Sequence, residues 1–135
     1  MKLQWKESYS TGNEQLDEQH KEWIDFYNRL EETMRSGRQG DLSKARGEAL
    51  RRMSDYVDYH FHFEEEFMRS IDYPETGRHW RMHKDFRNRL YRVFRDHSEG
   101  VVVLNSEVLD MIKNWLLNHI IEEDGKIREY LLHRK

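Results

Sequence analysis

Residues 16–34, LDEQHKEWIDFYNRLEETM, place Leu16, His20, Trp23, Tyr27, Leu30 and Met34 at alternating steps of four and three. That spacing lines one face of a helix, and the stretch reads as an amphipathic helix from about Asn13 to Ser36, ended by Gly37 and Gly40. One member of the face is out of place. A histidine among leucine and aromatic side chains is ordinarily a hydrogen-bonded core residue, and alone it would carry no argument. The same anomaly recurs on every other helical face of the chain.

A second helix is expected from about Leu42 to Ile71, with Leu50, Met53, Val57, His60, Glu64, Phe67 and Ile71 facing inward. Asp72, Tyr73 and Pro74, the chain's one proline, break it. The third runs from about Glu75 to His97 with His79, His83, Phe86, Leu90, Val93 and His97 on its inner face, and stops before the Ser98, Glu99, Gly100 turn. Val101 to Leu104 form a short link. A fourth starts at Asn105 or Ser106, either of which can cap it, and carries Val108, Met111, Ile112, Trp115, Leu116 and His119. Gly125 reads as its stop signal. Lys126 to His133 form a last amphipathic turn or two, packed outside through Ile127, Tyr130 and Leu131. The predicted fold is all-α, an up-down-up-down antiparallel four-helix bundle with an N-terminal arm and a short C-terminal helix. Residues 1–135 are expected to form a single domain.

Alternating helix direction has a geometric consequence. His20 and the pair His79/His83 lie near helix starts, whereas His60/Glu64 and His119 lie near helix ends, so all of them come to one end of the bundle. Residues four apart differ by about 40° in azimuth and about 6 Å in height, close enough to serve one ion. Asp124, five residues past His119, would point about 140° away on an ideal helix. It joins the others only if the helix unwinds there, and Gly125 makes unwinding plausible. Five imidazoles and two carboxylates suit a borderline metal such as iron better than calcium or magnesium. They exceed the roughly four ligands that one zinc takes, and therefore imply two ions sharing bridging groups. His62 points to the opposite side of its helix, His97 lies at the far end of the bundle, and His133 follows the fourth helix. These three read as structural or surface residues.

Composition narrows the alternatives. Lys+Arg 23 against Asp+Glu 26 leaves a net charge of −3, with the two signs interleaved, so there is no electrostatic footprint for nucleic acid. The absence of cysteine excludes disulfides, thiolate zinc and iron–sulfur clusters. The N-terminal MKLQWKESYSTG lacks an apolar run, and no stretch approaches 18 apolar residues. No signal peptide or membrane span is expected, and a cytoplasmic location is the simplest expectation. A ferritin-like carboxylate centre requires Glu-x-x-His on two helices, and no histidine here has a glutamate three residues before it.

Four segments together resemble the hemerythrin family, in particular its single-domain bacterial members. QWKESYSTGNEQLDEQHKEW is similar to the family's arm and first helix through Trp5, Tyr9, Gly12, Asp17 and His20. HFHFEEEFM matches H-F-x-x-E-E-x-x-M from His60, HWRMH matches H-x-x-x-H from His79, and HIIEED matches H-x-x-x-x-D from His119. The first loop, near Ser36 to Ser43, is expected to be somewhat long and remote from these segments. The resemblance implies two non-haem iron ions per chain, one on His79, His83 and His119 and the other on His20 and His60. It also implies bridging by Glu64, Asp124 and an oxo or hydroxo group. The two-histidine iron would then be five-coordinate and would hold O2 as a hydroperoxide.

The implied function is reversible O2 storage, transport or delivery by a protein that is not an enzyme. O2 is the expected ligand, an O2-consuming enzyme the conceivable recipient, and the oligomeric state is open. The alternative reading is a di-iron enzyme or sensor acting on peroxide, nitric oxide or ferrous iron. The lack of an obvious acid/base residue beyond the ligands and of a fused signalling segment favours the carrier. By resemblance Phe61, Trp115 and Leu116 would wall the O2 pocket, with Trp23 and Ile24 contributing from the first helix. Trp23 departs from the smaller aliphatic common at that position in the family.

Overall fold

The computed structural model describes residues 2–35, 42–98 and 106–133. Helix α1 spans Glu14–Arg35, α2 Leu42–Ser70, α3 Thr76–Ser98 and α4 Ser106–Asn118. A π-helical turn, His119–Glu123, carries α4 directly into α5, Asp124–His133. A single 3-10 turn, Glu7–Tyr9, interrupts the N-terminal arm, and the described residues contain no strand. Helix α2 packs against α1 on one side and α3 on the other, and α4 closes the bundle against α1. The expected arrangement of four antiparallel helices is the observed one. Gly37, Gly40, the Ser36–Asp41 part of the first loop, the Glu99–Gly100 turn, the Val101–Leu104 link and Asn105 lie outside the described residues, as do the side chains of Met34, His97 and Ser106.

Local chemistry explains the helix ends. Asn13 caps α1, its side-chain oxygen accepting the Leu16 N–H at 3.0 Å. Gly12, at φ +85°, supplies the left-handed turn before it. Asp17 secures this corner by accepting hydrogen bonds from the Thr11 N–H and Oγ1 and from Ser10 Oγ. Asn28 clamps the arm along α1, accepting from the Leu3 N–H at 2.7 Å and donating to the Leu3 carbonyl at 2.9 Å. Each of these residues keeps His20 at a defined height on the first turns of α1.

The α2–α3 joint is a Schellman cap built without glycine. Tyr73 N–H bonds the Met68 carbonyl at 3.0 Å, Asp72 N–H bonds Arg69 at 3.1 Å, and Asp72 takes φ +52°. The hydrophobic contact that accompanies such a cap is present, because Met68 and Tyr73 share a buried cluster with Ile71 and Ile127. Helix α5 is therefore packed over this joint rather than free at the surface. Tyr130 adds its hydroxyl to the carbonyls of Ile71 and Asp72, at 2.9 and 3.1 Å.

The core follows the sequence pattern with two adjustments. Leu16, Trp23, Tyr27, Leu30, Leu50, Met53, Val57, Phe86, Leu90, Ile112 and Leu116 are buried as expected, whereas Phe67, Val93, Val108, Met111 and Trp115 are only half-buried. Phe61, Met68, Leu109 and Ile120 join the core from positions beside the expected stripe. A helix in a bundle touches two neighbours, and the buried arc is wider than one seam.

The expectation that fails is the stop at Gly125, and with it the unwinding after His119. Gly125 does not enter the left-handed region; Gly12 and Asp72 are the described residues that do. The chain stays helical and instead widens by one residue: Asp124 N–H bonds the His119 carbonyl, an i→i+5 bond. The wider turn swings Asp124 onto the face of His119.

Asp72 is a residue with a Cβ in a conformation that suits glycine. Asp72→Gly is expected to raise unfolding stability by about 0.5–1 kcal/mol, and Asp72→Val to lower it by about 1–2 kcal/mol. Denaturant midpoints of the two variants against wild type check both signs.

Candidate metal centre

Five histidines and two carboxylates converge at the end of the bundle where α1 begins and α2 ends. His20, His60, Glu64, His83, His119 and Asp124 are fully buried, and His79 nearly so. Glu64 is their hub. Its Oε1 lies 2.6 Å from His79 Nε2 and 3.1 Å from both His83 Nε2 and His119 Nε2. Its Oε2 lies 3.2 Å from His60 Nε2 and 3.6 Å from His20 Nε2. The carboxylate therefore divides the imidazoles three to one oxygen and two to the other. Asp124 repeats the division, with Oδ1 at 3.1 and 3.2 Å from His79 and His119 and Oδ2 at 2.8 Å from His20.

Not all of these short distances are hydrogen bonds. His20 Nε2, His60 Nε2, Glu64 Oε2 and both Asp124 oxygens are buried without a hydrogen-bond partner among the described residues. His83 Nε2 and His119 Nε2 approach each other to 3.2 Å, and His79 Nε2 and His119 Nε2 to 3.4 Å. Lone pairs pointed at one another and sealed from water are costly, unless a cation sits among them. Two donor groups fit an ion: Glu64, His79, His83 and His119, and His20, His60, Glu64 and Asp124. Nitrogen-rich with carboxylate oxygen, they match the preferences of iron and its neighbours rather than of calcium or magnesium.

Two residues outside the expected set hold the ring orientation. His60 Nδ1 donates to Gln19 Oε1 and His83 Nδ1 to Glu65 Oε2, both at 2.8 Å. A proton fixed on Nδ1 leaves the Nε2 lone pair facing the cluster. Arg87 in turn stands 3.6 Å from the Glu65 oxygen. In the sequence Gln19 precedes His20 and Glu65 adjoins Glu64. Nothing in the sequence distinguishes their roles from those of exposed neighbours such as Glu66. On the opposite side Arg78 grips Glu123 with two bonds of 2.9 and 3.2 Å, tying the start of α3 to the π turn that orients Asp124. Arg78 holds the Glu123 carboxyl below its usual range against burial, which pushes it up.

Three of the apolar residues expected near the site, Phe61, Trp115 and Trp23, lie against its histidines. Phe61 stacks on His83 at 3.8 Å and Trp115 stacks on His119 at 4.7 Å. The Trp23 ring lies 5.5 Å from His60, and Ile24 and Leu116 belong to the same buried cluster. His62 and His133 are exposed, apart from the site.

The comparison with known proteins agrees with this geometry. The family described as hemerythrin HHE cation binding domain matches residues 11–131. The chain belongs to the hemerythrin family. A bacteriohemerythrin of Stenotrophomonas maltophilia is 32% identical over 124 residues, covering 90% of this chain and 76% of that protein. A myohemerythrin of Theromyzon tessulatum is 32% identical over 125 residues, covering 93% of this chain and 90% of that protein. A crystal structure of wild-type hemerythrin superposes with a TM-score of 0.84 at 26% identity, over 95% of this chain and 94% of that one. The family's description as a cation binding domain accords with the two donor groups of the buried cluster. No helix among the described residues is long and apolar enough to cross a membrane.

Electrostatics couple the centre to pH. Burial alone pushes His20 and His79 down, but Asp124 and Glu64 outweigh it and raise them to about 9 and about 10. Burial dominates at His119, which falls to about 4, and it lowers His60 as well. Burial raises the Glu64 carboxyl, and the histidines, His119 foremost, bring it well below the usual range.

Two outcomes test this account. Glu65→Ala, which leaves the His83 ring unrestrained, is expected to weaken metal affinity by about 10–100-fold in a chelator competition. The second concerns the metal-free protein. Its raised His20 and His79 stabilise the fold fully below the unfolded value of 6.5, and that contribution is lost as pH rises through about 9 and about 10. Thermal melting of the metal-free protein should fall over that alkaline window, and saturating metal, which displaces those protons, should abolish the fall.

Proposed function

We propose that this hemerythrin binds O2 reversibly at a non-haem di-iron centre, as a store, transporter or delivery protein rather than an enzyme. The observation that carries the reading is the uneven division of imidazoles about Glu64, three facing one carboxylate oxygen and two the other. His79, His83 and His119 would hold one iron and His20 and His60 the second, with Glu64 and Asp124 shared between them. Iron held there would supply the two-electron chemistry that reversible O2 binding needs, with the ligand taken up on the side that has fewer imidazoles.

The chain's own residues supply the conditions for reversibility. Phe61, Trp115 and Trp23 pack against the histidine rings and, with Leu116 and Ile24 of the same buried cluster, would keep out the water and anions that compete with O2. Gln19 and Glu65 hold protons on the outer nitrogens of His60 and His83, so neither ring needs to shift when a ligand arrives. The buried carboxylates next to the cluster, Glu65 and Glu123, are already engaged by His83 with Arg87 and by Arg78. Neither is free to deliver a proton to a substrate, which favours binding over peroxide or nitric oxide reduction. An O2-consuming enzyme is the class of recipient that such a carrier would serve.

The decisive experiment joins metal analysis to gas cycling. About two irons per chain and repeated recovery of the oxygenated spectrum between O2 and argon are expected. One zinc per chain would overturn the di-iron reading. Rapid irreversible oxidation, or turnover with peroxide or nitric oxide, would overturn the carrier in favour of an enzyme.

A further inference from the structure

Trp23 is fully buried, and its indole Nε1–H has no acceptor among the described residues. A buried N–H without a partner is rare, because the hydrogen bond it made to water in the unfolded chain is lost without replacement. The position of this one is informative. Trp23 sits three residues after His20 on the same face of α1, and its ring lies 5.5 Å from His60, 6.1 Å from His119, 5.6 Å from Phe61, 6.0 Å from Trp115 and 6.1 Å from Phe86.

These neighbours offer little for it to bond. Phe61, Phe86 and Trp115 carry no acceptor. His60 uses Nδ1 on Gln19 and turns Nε2 toward Glu64, and the His119 Nε2 faces Glu64 and Asp124. Of the other buried atoms without partners at this end of the bundle, His20 Nε2, His60 Nε2, Glu64 Oε2 and the Asp124 oxygens are those that a metal would satisfy, while the Nδ1 atoms of His20 and His119 carry the ring proton once Nε2 faces a metal and offer the indole no lone pair. An indole N–H cannot be a metal ligand. It can only donate, so its partner must be a hydrogen-bond acceptor small enough to reach a buried ring packed against His60 and His119.

We infer that Trp23 is a ligand-binding residue whose indole N–H donates a hydrogen bond to the small electron-rich ligand that occupies the centre, a diatomic or a small anion. The inference rests on the di-iron reading above and assigns a specific donor within it. A hydrogen bond to a charged acceptor is stronger than one to a neutral acceptor, so the bond gains strength as negative charge develops on the ligand and slows its loss. The same side chain as mere wall would obstruct entry and exit alike and leave the equilibrium unaltered.

Azide, a small anionic acceptor, is the probe, added to the iron-loaded oxidised protein. Trp23→Phe keeps an aromatic filler and removes the donor; its azide dissociation rate is expected to rise about tenfold, with the association rate little changed and the affinity lowered to match. Independently, ultraviolet Raman difference spectra of wild type should show one indole moving to the hydrogen-bonded position on azide addition, through the ring mode that reports bonding at Nε1. That shift should be missing in Trp23→Phe, and the wild-type measurement stands even if the variant fails to fold. Unchanged azide affinity in Trp23→Phe, or no indole shift in a wild-type protein that binds azide, overturns the role of Trp23 alone. A wild-type chain that takes up no iron overturns the di-iron reading, and this inference with it.

Discussion

Glu64 is the interaction on which the rest of this structure depends. A carboxylate fully buried in a helical bundle is untenable by itself, and this one is surrounded by five imidazoles drawn from all four helices. Each helix contributes to the same point, so their relative heights are set together. The packing of the hydrophobic core tolerates small slips of one helix against another. A polar cluster of this density does not, because a displacement by one residue would leave several donors facing hydrocarbon. The cluster is thus both the candidate metal site and the registration device of the fold.

Around that point the chain holds its rings in place from outside. Gln19 and Glu65 fix two imidazoles from behind, Arg78 and Glu123 pin the π turn, and the Schellman cap at Asp72 with α5 packed across it closes the joint below His79. The apolar rings do complementary work. Phe61 and Trp115 stack directly on His83 and His119, so the hydrocarbon that excludes water is the same material that restricts ring rotation. Preorganisation and dryness come from one set of side chains.

Much of this was legible in the residues, and the exceptions share a cause. The four helices, their inner faces and the six donors other than Asp124 follow from spacing, since apolar and polar positions repeat at the helical period. His62 and His133 were separable from the site on the same ground. The turn at Asp124 was not legible. Gly125 reads as a stop because glycine commonly adopts the left-handed conformation at helix ends, yet here it stays helical and the backbone absorbs an extra residue through an i→i+5 bond. The choice between unwinding and widening depends on what covers the helix end, and that is Met68, Ile71 and Tyr73 packed on Ile127. Glu65 and Gln19 escaped notice for a related reason: a polar residue next to a ligand has the same local pattern whether it faces solvent or a ring nitrogen.

The sequence by itself determined the all-α architecture, the alternation of helix directions and the inventory of donors, because short-range periodicity and residue chemistry suffice for these. It also carried, through its resemblance to hemerythrins, the division of the histidines into three and two. Tertiary structure alone decided how Asp124 reaches the cluster, which side chains hold the imidazoles in orientation, and that the Trp23 N–H is left unpaired beside them. Those outcomes depend on contacts between segments far apart in the chain, where distances and directions of single atoms, rather than helical period, determine which groups meet.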